Sequence, residues 1–476
     1  MAPNKHRIKL KGRLKRYTQT SVYLGILLIL INLVIYLLSI PAGLLLTCFI
    51  LIYFALVLSM QFYNKPVILN EMVSFATQYG QIQKVLLQEL EIPYAILDDE
   101  GHVIWMNVAF ENCLTYLRRR GRLPFRAASF GPVDNLILSL CAYDPFEWVL
   151  PGVESGVWLP FSHAVEKLTQ QPGWDDTGLL MSPHTPELLV ETARSPRFRA
   201  LALGCMETVA DQDTQFAALT YRLPDGTLFL AFRGTDDTLA GWKECFAMSY
   251  SPSVPSQRLA LDYLVRVATK YPGKLRLGGH SKGGNLAVWA AVHAPALLRR
   301  RILMVYSNDG PGFHRDLTHT PAYRGLAPRI VTYVPQASLV GALLHQDPRA
   351  RTVKSHGHGT AGQHDPFTWE VHSGSFRFLP RRSRQAQREA DGFRGWVDSM
   401  APAERAEFTD VLFSLLSAAQ AETLSELSEH WADTALAALG AYRALPPETR
   451  RDMLKYIWRF LRNLSTGGKA HPHRLH

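Results

Sequence analysis

Short apolar runs alternate with helical patterns between residues 227 and 355. The apolar runs TLFLAFRG, KLRLGG, RILMVYS, RIVTYV and RTVKS predict strands at 227–234, 274–279, 301–307, 329–334 and 351–355. Between them, the segments 257–271 and 283–294 carry apolar residues at the three- and four-residue spacing of a helix. Strands interleaved with helices are typical of right-handed crossovers. We therefore predict an α/β domain with a parallel sheet buried on both faces.

A second pattern occupies residues 21–60, which contain no charged side chain. This length suits two membrane-spanning helices joined by a tight turn at Pro41 and Gly43. The preceding residues 1–20 form a basic tail, which the positive-inside rule keeps in the cytoplasm beside anionic lipid. Two crossings predict a protein of the cell membrane with both termini cytoplasmic. A cleaved signal peptide and a buried helix pair are the alternatives.

Residues 61–117 predict a helix followed by a small hairpin. An apolar run, an acidic turn with Gly101 and a second apolar run follow one another between residues 91 and 110. This stretch resembles the opening of a PAS domain. The whole order of elements is similar to the amino-terminal part of membrane-anchored cyclic dinucleotide phosphodiesterases of Gram-positive bacteria. Their metal-binding motifs do not follow, so the resemblance implies an anchor in a bacterial protein, with either a ligand-binding sensor or a truncated structural module.

The remaining boundaries follow from composition. Residues 118–131 form a basic linker, 132–380 the α/β domain, and 465–476 a polar tail that we expect to be disordered. Helical spacing over 381–464 predicts four carboxyl-terminal helices. Packing on the sheet or on each other is the expected role of their apolar stripes, with a membrane-surface role for the helix around Trp458 as the alternative.

Composition excludes several classes of protein. The chain has 476 residues, 47% of them hydrophobic and 19% charged, which is typical of a globular protein with several domains. Its five cysteines are scattered without a CxxC pair, so neither a disulfide framework nor a cysteine zinc site is predicted. The net charge of +10 has no accompanying aromatic platform or groove-reading motif. We therefore expect no nucleic-acid partner.

The segment GHSKG contains the candidate nucleophile, Ser281. A strand precedes this G-x-S-x-G pattern and a helix follows it, as in a nucleophile elbow, where Gly279 and Gly283 permit the sharp turn. The helix start would direct free amides, including that of Lys282, at a developing oxyanion. The alternatives are an incidental serine in a glycine-rich turn and a phosphate-binding loop, although the Walker spacing is not met.

A nucleophilic serine needs a base and an orienting acid, which follow the serine in this fold class. Asp309 follows the strand 301–307, and His364 lies on a predicted loop before a short strand. Asp309 is also compatible with a simple turn before Gly310. His356 and His358 compete with His364 for the role of base, and the three histidines form only a weak zinc pattern. We predict no metal or other cofactor.

Five motifs in order resemble a bacterial branch of the class 3 lipase-like α/β-hydrolases. They are FRGTDD, GHSKGGNLA, YSNDGPGF, VPQASLVGALL and QHDPFTW. The resemblance implies that Thr235 forms the oxyanion hole together with the Lys282 amide. Those lipases carry their acid before a VP pair, where this chain has no carboxylate, so the acid role falls to Asp309 or the site is a dyad. Related sequences also tend to have an acid at the position of Cys245, which we expect to be a buried or incidental thiol.

These observations predict a membrane-anchored serine hydrolase that cleaves an ester or acyl bond, with a membrane lipid as its substrate class. Ser281 would attack the carbonyl carbon, His364 would transfer the proton and Asp309 would orient the imidazole. The alternative is a catalytically silent signalling or scaffold protein that keeps the hydrolase fold. The sequence does not identify the substrate or the oligomeric state.

Overall fold

The structure is a computed structural model that describes most of the chain. The described residues are 13–54, 95–97, 103–106, 113–176, 182–314, 316–372, 374–419, 421–423, 426–427 and 431–466. Two compact units divide at residue 107, the first covering Met1–Asn107 and the second Val108–His476.

The first unit contains helix α1 (Arg13–Leu38) and a second helix, α2 (40–54). The Asn32 amide nitrogen donates a 2.8 Å hydrogen bond to the Thr47 hydroxyl, which links the two helices. Across the part of the chain that the structure describes, no helix combines the length and apolar character needed to cross a membrane. The hairpin predicted for residues 21–60 is thus not supported, and its last six residues lie outside the described part.

Strands β1 (Ala95–Leu97) and β2 (Val103–Met106) pair antiparallel, as predicted for the hairpin in this region. The helix predicted before them lies outside the described residues, and the PAS resemblance stays a prediction. The helix α3 (Cys113–Arg120) belongs to the second unit, where Tyr116 and Leu117 are buried in the main core. The second unit therefore begins earlier than the linker predicted at 118–131.

The described part of the second unit is built around a sheet of nine strands. In spatial order the strands are β13 (Phe378–Leu379), β10 (Arg351–Val353), β9 (Ile330–Pro335), β8 (Ile302–Asn308), β7 (Leu275–His280), β6 (Leu228–Phe232), β5 (Gln215–Arg222), β4 (Ala202–Ala210) and β3 (Trp158–Pro160). Each predicted strand is present with slightly different ends. A separate pair, β11 (Val371–His372) and β12 (Ser375–Phe376), lies outside this sheet.

The sheet is mixed, which corrects the predicted parallel sheet. Strands β6 to β10 are parallel, whereas β3, β4 and β5 pair antiparallel beside them and β13 pairs antiparallel at the opposite edge. Every residue of β5 except Arg222 is buried, so its sequence lacks the alternation that marks a half-exposed strand. This is why the pattern of β5 gave no strand prediction.

Helices cover both faces of this sheet. They are α4 (Pro132–Leu140), α5 (Phe161–Leu168), α6 (Thr185–Arg194), α7 (Leu239–Ala247), α8 (Pro255–Lys270), α9 (Lys282–His293), α10 (Ala296–Arg299), α11 (Pro321–Leu326) and α12 (Gly359–His364). The apolar faces of α8 and α9 form one core with the strands, and α4, α5 and α6 contribute to a second core. This arrangement is a mixed α/β fold with a central sheet between two helical layers.

Residues 426 and 427 are helical, and four longer helices are described in the carboxyl-terminal part of the chain. They are α13 (Arg384–Asp398), α14 (Pro402–Ser417), α15 (Trp431–Ala444) and α16 (Pro447–Thr466). Trp396 of α13, Phe408 of α14 and Tyr456 of α16 share one apolar cluster, with Phe246 of α7 packed against it. The helices therefore pack on each other and over α7. We refer to α13–α16 as the cap.

Candidate functional site

Ser281 lies at the sharp turn between β7 and α9. Its backbone adopts φ 56° and ψ −132°, a left-handed conformation that is costly for a residue with a Cβ. The turn is tight, since a Cβ on Gly283 would lie 2.0 Å from the Phe232 carbonyl oxygen and one on Gly279 would lie 2.3 Å from the Gly283 carbonyl carbon. The two glycines are thus required for the reason that the sequence pattern indicates.

The structure brings Asp309 and His364 together. Asp309 follows β8 directly and is fully buried, and His364 is the last residue of α12. The Nδ1–H of His364 donates a hydrogen bond of 2.6 Å to Oδ2 of Asp309. The position of His364 corrects the predicted loop, because a short helix ends at this residue before β11. With Nδ1 occupied by the carboxylate, Nε2 of the imidazole is left as the basic nitrogen.

The segment that follows β9 positions Asp309. The Ser338 hydroxyl donates a 2.5 Å hydrogen bond to the same oxygen, Oδ2, and the Asp309 amide donates to the Tyr333 carbonyl at 2.8 Å. A Cβ on Gly341 would lie 2.0 Å from Oδ1 of Asp309, so this glycine leaves room for the carboxylate. Ser338 and Gly341 belong to the VPQASLVGALL motif, but the sequence does not show which atom they contact.

His280 supports the imidazole of His364 from one side. The two rings stack with centroids 4.6 Å apart, and Nε2 of His280 lies 3.1 Å from the His364 carbonyl oxygen. Because a carbonyl only accepts, Nε2 carries the proton, and Nδ1 faces the Tyr143 hydroxyl at 3.2 Å. Burial, followed by the neighbouring His364, holds the pKa of His280 well below its usual range. His280 is therefore a neutral positioning residue that sequence reasoning missed.

The lowered pKa of His280 predicts an acid-dependent loss of stability. Below about pH 6.5 this imidazole is protonated in the unfolded chain but stays neutral in the folded chain. The contribution to folding stability is therefore complete above that pH and decreases as the pH falls. His280→Phe keeps an aromatic ring against His364 and removes the titration. We expect a shallower decline of the thermal unfolding temperature between pH 7.5 and 5.5 in this variant than in wild type. Equal declines would contradict the assignment.

The side chain of Lys282 points away from the catalytic groups into a buried ion pair. Its Nζ lies 3.0 Å from Oε2 of Glu244 and 2.6 Å from the Gln215 carbonyl oxygen, and both charged side chains are fully buried. Glu244 also accepts a hydrogen bond from the Ser256 amide at 2.7 Å. The ion pair therefore ties the start of α9 to α7 and α8. Only the backbone amide of Lys282 is available to the predicted oxyanion hole.

Breaking this ion pair is expected to destabilise the fold strongly. Lys282→Met leaves the Glu244 carboxylate buried without its cation, which costs about 3–5 kcal/mol. Lys243→Met is the matched control, because the Lys243 ammonium pairs with exposed Asp213 at 2.9 Å, and its loss costs about 1 kcal/mol or less. Chemical unfolding measures both. Similar decreases in the free energy of unfolding of the two variants would contradict the buried character of the ion pair between Lys282 and Glu244.

Thr235 lies on the loop between β6 and α7 and lines the same cavity as Ser281. Its hydroxyl is 2.8 Å from the Cys245 sulfur. The pKa of Cys245 is raised, first by burial, which keeps the thiol protonated. Cys245, predicted to be a buried or incidental thiol, is half-buried and lines the cavity, where it contacts the hydroxyl that the family resemblance assigns to the oxyanion hole.

The candidate nucleophile and the candidate base line one cavity of about 320 Å³. Ser281, His364, Thr235 and Lys282 are among the residues that line it. Its walls are largely aromatic and aliphatic side chains from α7, the loop before β10 and the cap, namely Trp242, Phe246, Val340, Leu343, Leu344, Phe393, Trp396, Val397, Met400 and Phe408. The carboxyl-terminal helices therefore form much of the site, which helical periodicity alone did not indicate.

The other histidines predicted as competitors do not join this arrangement. His356 and His358 are absent from the residues that line the cavity, whereas His364 is among them. Within the described ranges, no group of three or more His, Cys, Asp or Glu side chains is placed to hold a metal ion.

Comparison with known proteins gives one family and a few distant structures. A family model described as Mbeg1-like matches residues 192–414, which include Ser281, Asp309 and His364. No curated protein matches the chain. The native lipase propeptide complex of Rhizomucor miehei is 13% identical, covering 50% of this chain and 79% of that chain, with a TM-score of 0.27. M37 lipase is also 13% identical, covering 44% and 68%, with a TM-score of 0.27. Over its site-bearing residues 192–414, the chain is thus similar to the Mbeg1-like family.

Proposed function

We propose that the chain is a serine hydrolase that cleaves an ester or acyl bond, with Ser281 as nucleophile, His364 as general base and Asp309 as the orienting acid. The observation that carries this proposal is the 2.6 Å contact between the buried Asp309 carboxylate and Nδ1 of His364, in the cavity that Ser281 also lines. Nucleophilic acyl transfer requires a serine, a base and an orienting acid that meet at one site.

In the proposed reaction, the Ser281 oxygen attacks the carbonyl carbon of the substrate while its proton passes to Nε2 of His364. Asp309 stabilises the imidazolium and holds the ring in the required tautomer. The imidazolium then returns the proton to the leaving alcohol, and an acyl ester remains on Ser281. Water, activated in turn by His364, hydrolyses this ester and restores the free serine.

We propose that the Lys282 amide and Thr235 stabilise the oxyanion. Lys282 is the first residue of α9, so its amide has no acceptor within the helix and lies at the positive end of the helix dipole. Thr235 faces the same cavity. Preorganised donors of this kind act on charge that develops only in the transition state.

The cavity walls favour a substrate with an apolar acyl group. Aromatic and aliphatic side chains dominate the walls, and Arg405 is the charged side chain that the cap contributes to the lining. Burying apolar surface contributes about 25 cal/mol per Å². An acyl ester or acyl lipid therefore fits better than a small polar ester.

Labelling with a fluorophosphonate probe tests the proposed activity. We expect the full chain to be labelled covalently and Ser281→Ala to show no labelling. Ser249→Ala is the matched control, since Ser249 is another serine that lines the cavity, and it should label like wild type. Absence of labelling in folded wild type would favour the catalytically silent scaffold.

We also propose that the chain is attached to the cytoplasmic face of a membrane. The support is the uncharged segment 21–60 after a basic tail, together with the exposed apolar side chains of α1, such as Leu37 and Leu38. Extraction of cell membranes at alkaline pH tests this attachment. Recovery of the chain in the pellet is expected, and its release with peripheral proteins would contradict the proposal.

A further inference from the structure

Helix α16 has two apolar faces, one packed against the other helices of the cap and one exposed to solvent. Met453 and Tyr456 are buried and Phe460 packs against the same cluster as Trp396. The other face leaves four large apolar side chains exposed to solvent, namely Leu454 (58%), Ile457 (44%), Trp458 (67%) and Leu461 (57%). Their spacing of three, four and seven residues places them on one side of the helix. We call these four residues the outer face of α16.

A basic stripe runs beside the outer face. Arg451, Lys455 and Arg462 occupy exposed positions one and two turns apart, adjacent to Leu454 and Trp458 on the helix surface. The whole helix carries five basic and two acidic side chains. Lys455 contacts Glu404 and Asp452 only at 3.7 and 3.8 Å, at the surface. Because basic side chains outnumber acidic ones by three, the helix carries a net positive charge.

We propose that the outer face of α16 docks on the surface of an anionic lipid bilayer. An apolar stripe containing a tryptophan and bordered by basic side chains fits this occupant, because the apolar side chains enter the acyl boundary while the basic ones meet lipid phosphates. A second copy of the chain fits less well, since pairing two outer faces would bring two basic stripes together. The buried face of the same helix contacts Trp396, which lines the cavity, so docking would place the bilayer one helix away from the site.

Fluorescence quenching by lipids with brominated acyl chains tests this contact in the full chain. Such lipids quench tryptophans that enter the bilayer. The chain has ten tryptophans, so we expect wild type to lose on the order of one tenth more emission than Trp458→Phe with vesicles of mixed neutral and anionic lipid. Trp148→Phe is the matched control, because Trp148 is exposed to a similar extent elsewhere on the protein. It should be quenched as strongly as wild type.

Two double variants test whether the apolar side chains and the basic side chains of α16 both contribute to the contact with the bilayer. Leu454→Gln with Leu461→Gln, and Arg451→Gln with Lys455→Gln, should each remove the Trp458-dependent quenching, and about 1 M salt should weaken it. All measurements use the Ser281→Ala background, so they do not depend on hydrolysis, and all variants share residues 21–60. Equal quenching of wild type and Trp458→Phe would overturn the proposal, as would identical quenching with purely neutral lipid.

Discussion

Ser281→Ala is expected to lower the rate of ester hydrolysis by about 10⁴- to 10⁶-fold, because it removes the protein atom that the proposed reaction joins to the acyl group. The cavity, the Lys282 amide and Thr235 stay in place, so weak residual catalysis and nearly unchanged substrate affinity are expected. The hydrolysis of a chromogenic acyl ester, measured with kcat and KM separately, checks this result. Loss of less than tenfold would contradict the nucleophilic role.

Stability measurements serve as the control for this variant. Alanine keeps the Cβ at a backbone φ of 56°, so Ser281→Ala should unfold at nearly the same denaturant concentration as wild type. Ser281→Gly should be inactive too, but more stable by about 1 kcal/mol, because glycine adopts the left-handed conformation without strain. The loss of activity together with the gain in stability in Ser281→Gly would show that the backbone conformation of the active site costs folding free energy.

Asp309→Asn is expected to lower kcat by about 10⁴-fold with little change in KM. An asparagine amide at this place donates to Nδ1 of His364, which moves the imidazole proton to Nε2 and prevents it from accepting the serine proton. Hydrolysis kinetics measure the effect. A loss of tenfold or less would show that Ser281 and His364 act as a dyad without this acid.

Ser338→Ala is the graded control for Asp309→Asn. It removes a 2.5 Å hydrogen bond to Oδ2 but leaves the carboxylate and its contact with His364. We expect kcat to fall by about tenfold, because one hydrogen bond to the carboxylate is lost. If both variants lost activity equally, the role of Asp309 would be to hold the loop rather than the tautomer.

The sequence predicted the part of the site that depends on local geometry. Gly279 and Gly283 mark a tight turn and apolar runs on both sides mark the strand and helix, so the sequence alone places Ser281 at the turn between β7 and α9. Asp309 was placed correctly after β8 because parallel strands end at one sheet edge. Both inferences rest on short-range rules.

Contacts between distant segments were not predictable in the same way. The pairing of Lys282 with Glu244 joins residues 38 positions apart, and nothing in either segment marks the other as its partner. Likewise, the apolar stripes of α13 and α14 indicated helices but not that Phe393 and Phe408 face a cavity. The antiparallel strand β5 escaped prediction because it is buried over nearly its whole length, where alternation disappears.

The most direct test of the account is to trap the acyl intermediate and locate it. The full chain is mixed with an activated acyl ester, quenched with acid within the first turnover, digested and analysed by mass spectrometry. We expect a mass increase of one acyl group on the peptide that contains Ser281, at the Ser281 oxygen, with no such increase in Ser281→Ala. An acyl group on Cys245 or Ser249, or turnover without any acyl adduct, would contradict it.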